Sequence, residues 1–167
     1  MIASDFVGYL EHKSPDRLNE FTENVGKGGC TIFASMIMES QKVNLMHLPW
    51  CSTFVHAIIN RPDILGKAHP GCRVLVRRIK RKKLWIDTDY IPTVGDLVFY
   101  ANNKRIDHVG IVEYCDGKMI FSIEGNAIDD TGHFKPTEGG IVAKRIRPLT
   151  DPKIKGYAKI GDLINYG

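Results

Sequence analysis

The chain has 167 residues, 43% apolar, 25% charged and 9% aromatic, enough for one domain with a real core and too few for two ordinary ones. That apolar content excludes disorder, and 16 Gly and 8 Pro without a period exclude collagen-like and low-complexity chains. The 23 basic and 19 acidic residues leave a net charge of +4, which suits an acidic polymer as partner without arguing nucleic acid, and no apolar run reaches the roughly 18–20 residues of a membrane helix.

Residues 1–15 hold no basic segment followed by an apolar one, so no secretory signal is visible. Phe6, Leu10, Leu18 and Phe21 predict short helical pieces around the Ser14-Pro15 break, with a glycine-rich turn at residues 26–29. Ile32, Ala34, Met36 and Ile37 predict a short helix ending before Glu39. After Leu48-Pro49-Trp50, the residues Cys51, Phe54, Val55 and Ile58 stand at i, i+3, i+4 and i+7, one face of a helix that Arg61-Pro62 ends. Cys51 falls in its first turn, on the side turned toward the protein.

Residues 72–83 predict another helix. Cys72, Leu75, Val76 and Ile79 form its apolar side, and Arg73, Arg77, Arg78, Lys80 and Arg81 its basic side, with Lys82 and Lys83 following. The ordinary reading of such a run is a solvated face. From Pro92 the period changes to two, and residues 96–100, 108–114, 118–124 and 140–147 read as strands, with Asp116-Gly117 in a hairpin turn. Helices first and antiparallel strands after define an α+β layout: N-terminal helices packed on an antiparallel sheet.

Two registers compete for that hairpin. A two-residue loop pairs Cys115 with Lys118 and puts His108 and Glu124 on opposite faces. A three-residue loop, Cys115-Asp116-Gly117, pairs Tyr114 with Lys118 and sets His108 directly opposite Glu124. Only the latter gathers Val109, Ile111, Met119, Phe121 and Ile123 on one face, so burial favours it.

A nucleophilic cysteine needs a stabilised thiolate, a base, and a group that orients the base. Cys51 at a helix N-terminus meets the first need, because unpaired N–H groups there favour an anion. His108 supplies the base, and Glu124 or Asn126 the orienting group. Cys30, after Gly28-Gly29 and before a predicted helix, is the internal rival, while Cys72 and Cys115 read as packing residues. The four cysteines form no CxxC pair, so neither a metal nor another cofactor is expected. His12, His47, His56, His69 and His133 show no ligand spacing and are expected at the surface or as satisfied polar groups. Asp87 and Asp89 form no complete calcium loop, and Asp129-Asp130 reads as turn chemistry.

Four blocks occur in order: Pro49-Trp50-Cys51-Ser52-Thr53-Phe54-Val55, Pro92-Thr93-Val94-Gly95-Asp96-Leu97-Val98-Phe99-Tyr100, Asp107-His108-Val109-Gly110-Ile111-Val112 and Ile123-Glu124-Gly125-Asn126. Together they resemble the CHAP family of cysteine amidases and peptidases, relatives of the NlpC/P60 group with a papain-like core. The likeness spans about residues 20–157 and implies one catalytic domain over residues 1–167. It implies cleavage of peptidoglycan, at the N-acetylmuramoyl–L-alanine amide or within stem or cross-bridge peptides. Cys51 would be nucleophile, His108 general base, Glu124 its orienter and Asn126 a support. Relatives often carry an acid where Ser52 stands, which leaves substrate recognition open.

The resemblance to compact phage or prophage lysins implies synthesis in the cytoplasm and release to the wall. Peptidoglycan is the expected partner, with anionic wall polymers held by the basic 72–83 helix and no nucleic acid. The alternatives are a papain-like acyltransferase or toxin acting on other peptides, and a wall-binding module.

Overall fold

The computed structural model describes residues 2–21, 28–102, 104–128 and 140–164; residues 26–27, Asp129-Asp130 and His133 fall outside that set. Near the N-terminus the expected helical pieces are two 3-10 turns, Ala3–Phe6 and Pro15–Arg17. Helix α1 (Ile32–Gln41) starts at Thr31, whose side chain accepts from the Ala34 N–H, and stops where Lys42 turns left-handed. It outruns its expected end because Glu39 and Ser40 lie on the exposed side and nothing before Lys42 breaks the backbone.

Helix α2 (Cys51–Ile59) occupies the predicted span and ends at the left-handed Asn60. Every residue in it is buried, as befits a helix that is apolar nearly all round. A single turn, α3 (Pro62–Leu65), leads to α4 (Cys72–Arg81), whose basic side faces out.

Six strands follow: β1 (Trp85–Ile86), β2 (Leu97–Tyr100), β3 (His108–Cys115), β4 (Met119–Ala127), β5 (Ile141–Pro148) and β6 (Ile154–Ala158). They form one antiparallel sheet in the order β1-β6-β2-β3-β4-β5. Strands β1 and β6 were not foreseen; each is short and finds its ladder only through distant partners. Leu97, Phe99, Val109, Ile111 and Ile123 join Phe33, Phe54, Val55 and Leu75 in the larger core. Val98, Tyr100, Val112, Ile120, Ile154 and Tyr157 make a smaller one on the opposite face. Buried Asp96 fastens the middle of the sheet to the chain beyond β6. One carboxylate oxygen accepts from Tyr90 Oη and from the Thr93 amide and hydroxyl, the other from the Ile160 and Gly161 amides.

Both hairpin registers are corrected. The loop is Gly117-Lys118: the Asp116 N–H donates to Met119 O at 3.2 Å, and Gly117 has φ 87°, the glycine position of a Gly-X loop. The Asp116 carboxylate accepts from the Lys118 and Met119 amides at 2.8 and 2.7 Å, a local bond that hydrophobic patterning does not report. Tyr114 therefore pairs with Phe121, while beyond a bulge at Glu113 Val112 pairs with Ser122 and Ile111 with Ile123. The bulge restores the phase that the shorter loop would have lost. Val109, Ile111 and Ile123 thus still share the core face, but Glu124 stands level with Gly110 and reaches His108 diagonally.

Candidate active site

Trp50 seats Cys51. Its ring is buried, stacks on Phe33 at 5.6 Å and donates from Nε1 to Glu11 at 2.7 Å. Gly125 of β4 lets this corner approach the sheet, since a Cβ there would lie 2.5 Å from Cβ of Phe54 and 2.8 Å from the Trp50 ring. The start of α2 is thereby pressed against β4, and Cys51, 4% exposed, opens into a cleft of about 710 Å³. That cleft is lined by Pro49, His69, Cys72, Arg73, Lys104 and Arg105 among others. Asp107 belongs both to it and to a second cleft of about 510 Å³ that holds His108, Glu124, Asn126 and Arg147. A larger cavity, about 1020 Å³, lies between α1, α2 and the sheet and contains none of these groups.

His108 begins β3 and donates from Nε2 to Glu124 Oε2, 2.8 Å away. Its other ring nitrogen, Nδ1, is then the one left for Cys51. Glu124 is 1% exposed and fully held: Ser122 Oγ donates to Oε1 at 2.7 Å, and Arg147 donates to Oε1 at 2.6 Å and to Oε2 at 3.4 Å. The Arg147 guanidinium lies 4.4 Å over the Tyr100 ring and also approaches Asp151. Tyr100 Oη meets Ser122 Oγ at 3.1 Å, which closes the network.

These contacts set the charges. The Cys72 thiol, 3.4 Å from Cys51 Sγ, contributes most to holding Cys51 well below an ordinary thiol; burial opposes this, and the His108 charge and the Ser52 amide reinforce it. Burial works first against a charged His108, but Cys51 and Glu124 outweigh it and raise its pKa to about 10. Burial likewise opposes the Glu124 carboxylate, and the bonds and charges of His108 and Arg147 still bring it down to about 2. Together these shifts favour thiolate, imidazolium and carboxylate, with Arg147 balancing the last.

The structure therefore brings Cys51, His108 and Glu124 together. Asn126, left-handed at φ 54° in the bulge before Ala127, lines the same cleft but hydrogen-bonds neither His108 nor Glu124 among the described residues. Ser52 is fully buried and lines neither cleft. Cys30 lies one residue outside the α1 cap, 3.5 Å from His47, with its pKa raised by burial and by the carboxylates of Glu11 and Asp16. It has a histidine neighbour but not the charge pattern of a nucleophile.

His12 is buried and bonded to Glu20 O, whereas His47 and His69 are exposed. His56 departs from expectation: it is 1% exposed with Nε2 unpartnered, and burial lowers its pKa to about 4. The sequence reading missed Ser122, Arg147 and the proximity of Cys72. Basic residues alternating with Ile146 along β5 were the available signal for Arg147, but they look like any exposed strand.

A thiolate at a helix start, an imidazolium and a buried carboxylate on a papain-like α+β framework define a cysteine-dependent hydrolase class. The CHAP domain family model matches residues 21–126, more than half of the chain, and the chain belongs to the CHAP domain family of peptidoglycan amidases and peptidases. No curated protein matches it. Arg147 lies beyond the matched residues.

Proposed function

We propose that the protein cleaves an amide of peptidoglycan by a Cys-His-Glu thiol mechanism, as an N-acetylmuramoyl-L-alanine amidase or a stem or cross-bridge endopeptidase of the phage or prophage lysin kind. The observation that carries this reading is the Cys51, His108, Glu124 constellation where two clefts meet. The Cys51 thiolate attacks the carbonyl carbon, and the oxyanion is met by N–H groups of the first turn of α2, which have no acceptor within the helix. His108 gives its proton from Nδ1 to the leaving amine. It then takes a proton from water, whose oxygen attacks the thioester, and keeps that proton while the Cys51 sulfur departs as thiolate, which restores the starting pair. Glu124 stabilises the imidazolium throughout, and Asn126 borders the substrate.

Arg73, Lys104 and Arg105 on one side and Arg145 and Lys153 on the other line the clefts, which suits the free carboxylates of stem peptides. The exposed side of α4 would add attraction for anionic wall polymers, and the working place would be the bacterial wall, reached after synthesis in the cytoplasm. Mass spectrometry of fragments from purified peptidoglycan tests the reading. New N-termini of stem or bridge residues identify the bond, and intact peptidoglycan after prolonged digestion overturns it.

A further inference from the structure

We propose that Cys51 and Cys72 form a reversible disulfide that switches the enzyme off. The inference rests on Cys51 being the nucleophile. Its own observation is the 3.4 Å separation of the two sulfurs, each carried by the first residue of its helix, α2 or α4. A disulfide needs about 2.05 Å between sulfurs, so about 1.4 Å must be closed, divided between two short side chains. Both residues line the wall of one open cleft, so a molecule the size of hydrogen peroxide reaches them although each is 4% exposed. No other thiol touches a thiol among the described residues: Cys30 faces His47, and Cys115 ends β3.

With a peroxide as oxidant the chemistry balances. The Cys51 thiolate attacks one peroxide oxygen, the O–O bond breaks, and the departing hydroxide takes the His108 proton to become water. Cys51 is now a sulfenic acid. The Cys72 sulfur attacks the Cys51 sulfur, the S–O bond breaks, and the hydroxyl leaves with the Cys72 proton as a second water. Two thiol sulfurs are oxidised by two electrons in all, and both peroxide oxygens are reduced. A dithiol reverses the bond by exchange. While the disulfide stands, Cys51 has no thiolate to attack a carbonyl.

The test treats the reduced full chain with hydrogen peroxide, blocks free thiols, digests with trypsin without reductant, and assays wall hydrolysis in parallel. Trypsin releases Cys51 in the peptide of residues 43–67 and Cys72 in that of residues 68–73, so the bond appears as their sum less two hydrogens. The expected result is that linked peptide, together with loss of hydrolysis that dithiothreitol restores. In Cys72→Ala, peroxide should still inactivate, but dithiothreitol should restore far less, because sulfenic acid proceeds to irreversible oxides. Inactivation without the linked peptide, or equal recovery in wild type and Cys72→Ala, overturns the switch and leaves the nucleophile standing. A linked peptide in a fully active enzyme overturns the nucleophile reading, and the switch with it.

Discussion

Gly110 and Glu124 share one small space: a Cβ on Gly110 would stand 2.7 Å from Cγ of Glu124. The glutamate crosses β3 where there is no side chain, and so reaches His108 two residues away on the same face of the strand. Gly110→Ala should push the carboxylate off the imidazole. We expect kcat on a soluble muropeptide to fall with little change in wall binding, and an unchanged kcat would show that Glu124 does not need this path.

Cys51→Ala should abolish wall lysis and leave the circular dichroism spectrum intact, whereas Cys30→Ala should retain most activity. Digestion of walls by Cys51→Ala at the wild-type rate would remove the mechanism.

Glu124→Gln keeps the shape but loses the charge that favours imidazolium, so turnover should drop substantially while binding changes less. His108→Ala should be worse, since it removes the base. Arg147→Met strands a buried carboxylate and should cost about 1–3 kcal/mol of stability, read by urea denaturation, besides slowing turnover. Arg147→Lys restores charge without the fork and should recover only part of both.

The pH profile follows from the shifts. Glu124 is lowered from 4.5 to about 2, so its contribution to stability is whole above about 4.5 and is lost as pH falls toward 2. His108 is raised from 6.5 to about 10, so its contribution is whole below 6.5 and is lost as pH rises toward 10. The alkaline limb of kcat/KM should lie near 10 and move to lower pH in Glu124→Gln. An alkaline limb near 7 in the wild type would contradict the ion pair.

On α4, Lys80 lies 4.6 Å over Trp85, and Arg78 and Lys82 bond to the Lys67 and Asp63 carbonyls. Arg73, Arg77 and Arg81 remain as exposed cations on that face. Reversing those three should weaken sedimentation with intact walls, with the wild-type affinity itself falling as salt shortens a Debye length of about 8–10 Å. Equal wall affinity in both proteins would make the run a solvated face and nothing more.

What the sequence disclosed depended on the range of the interaction. The span of α2 was legible because Cys51, Phe54, Val55 and Ile58 repeat locally and a proline follows. The shared face of His108 and Glu124 was legible from burial, since alternation carries parity along a strand. The turn was not: parity is unchanged when a shorter loop and a bulge occur together, so Val109 and Ile123 report nothing about Glu113. Arg147 and Cys72 were hidden for another reason, since their partners lie 23 and 21 positions away in the chain. Only the closed sheet and the packing of α2 beside α4 bring them near.

The bulge at Glu113 has a practical consequence for redesign. It fixes the strand's phase several residues before the tip, so the hairpin end carries no information that His108 depends on. The segment around Gly117-Lys118, exposed and remote from both clefts, is therefore the place to graft an epitope, a fluorophore site or a targeting peptide. An insertion there lengthens the tip, while the bulge keeps His108 aimed at the Glu124 carboxylate.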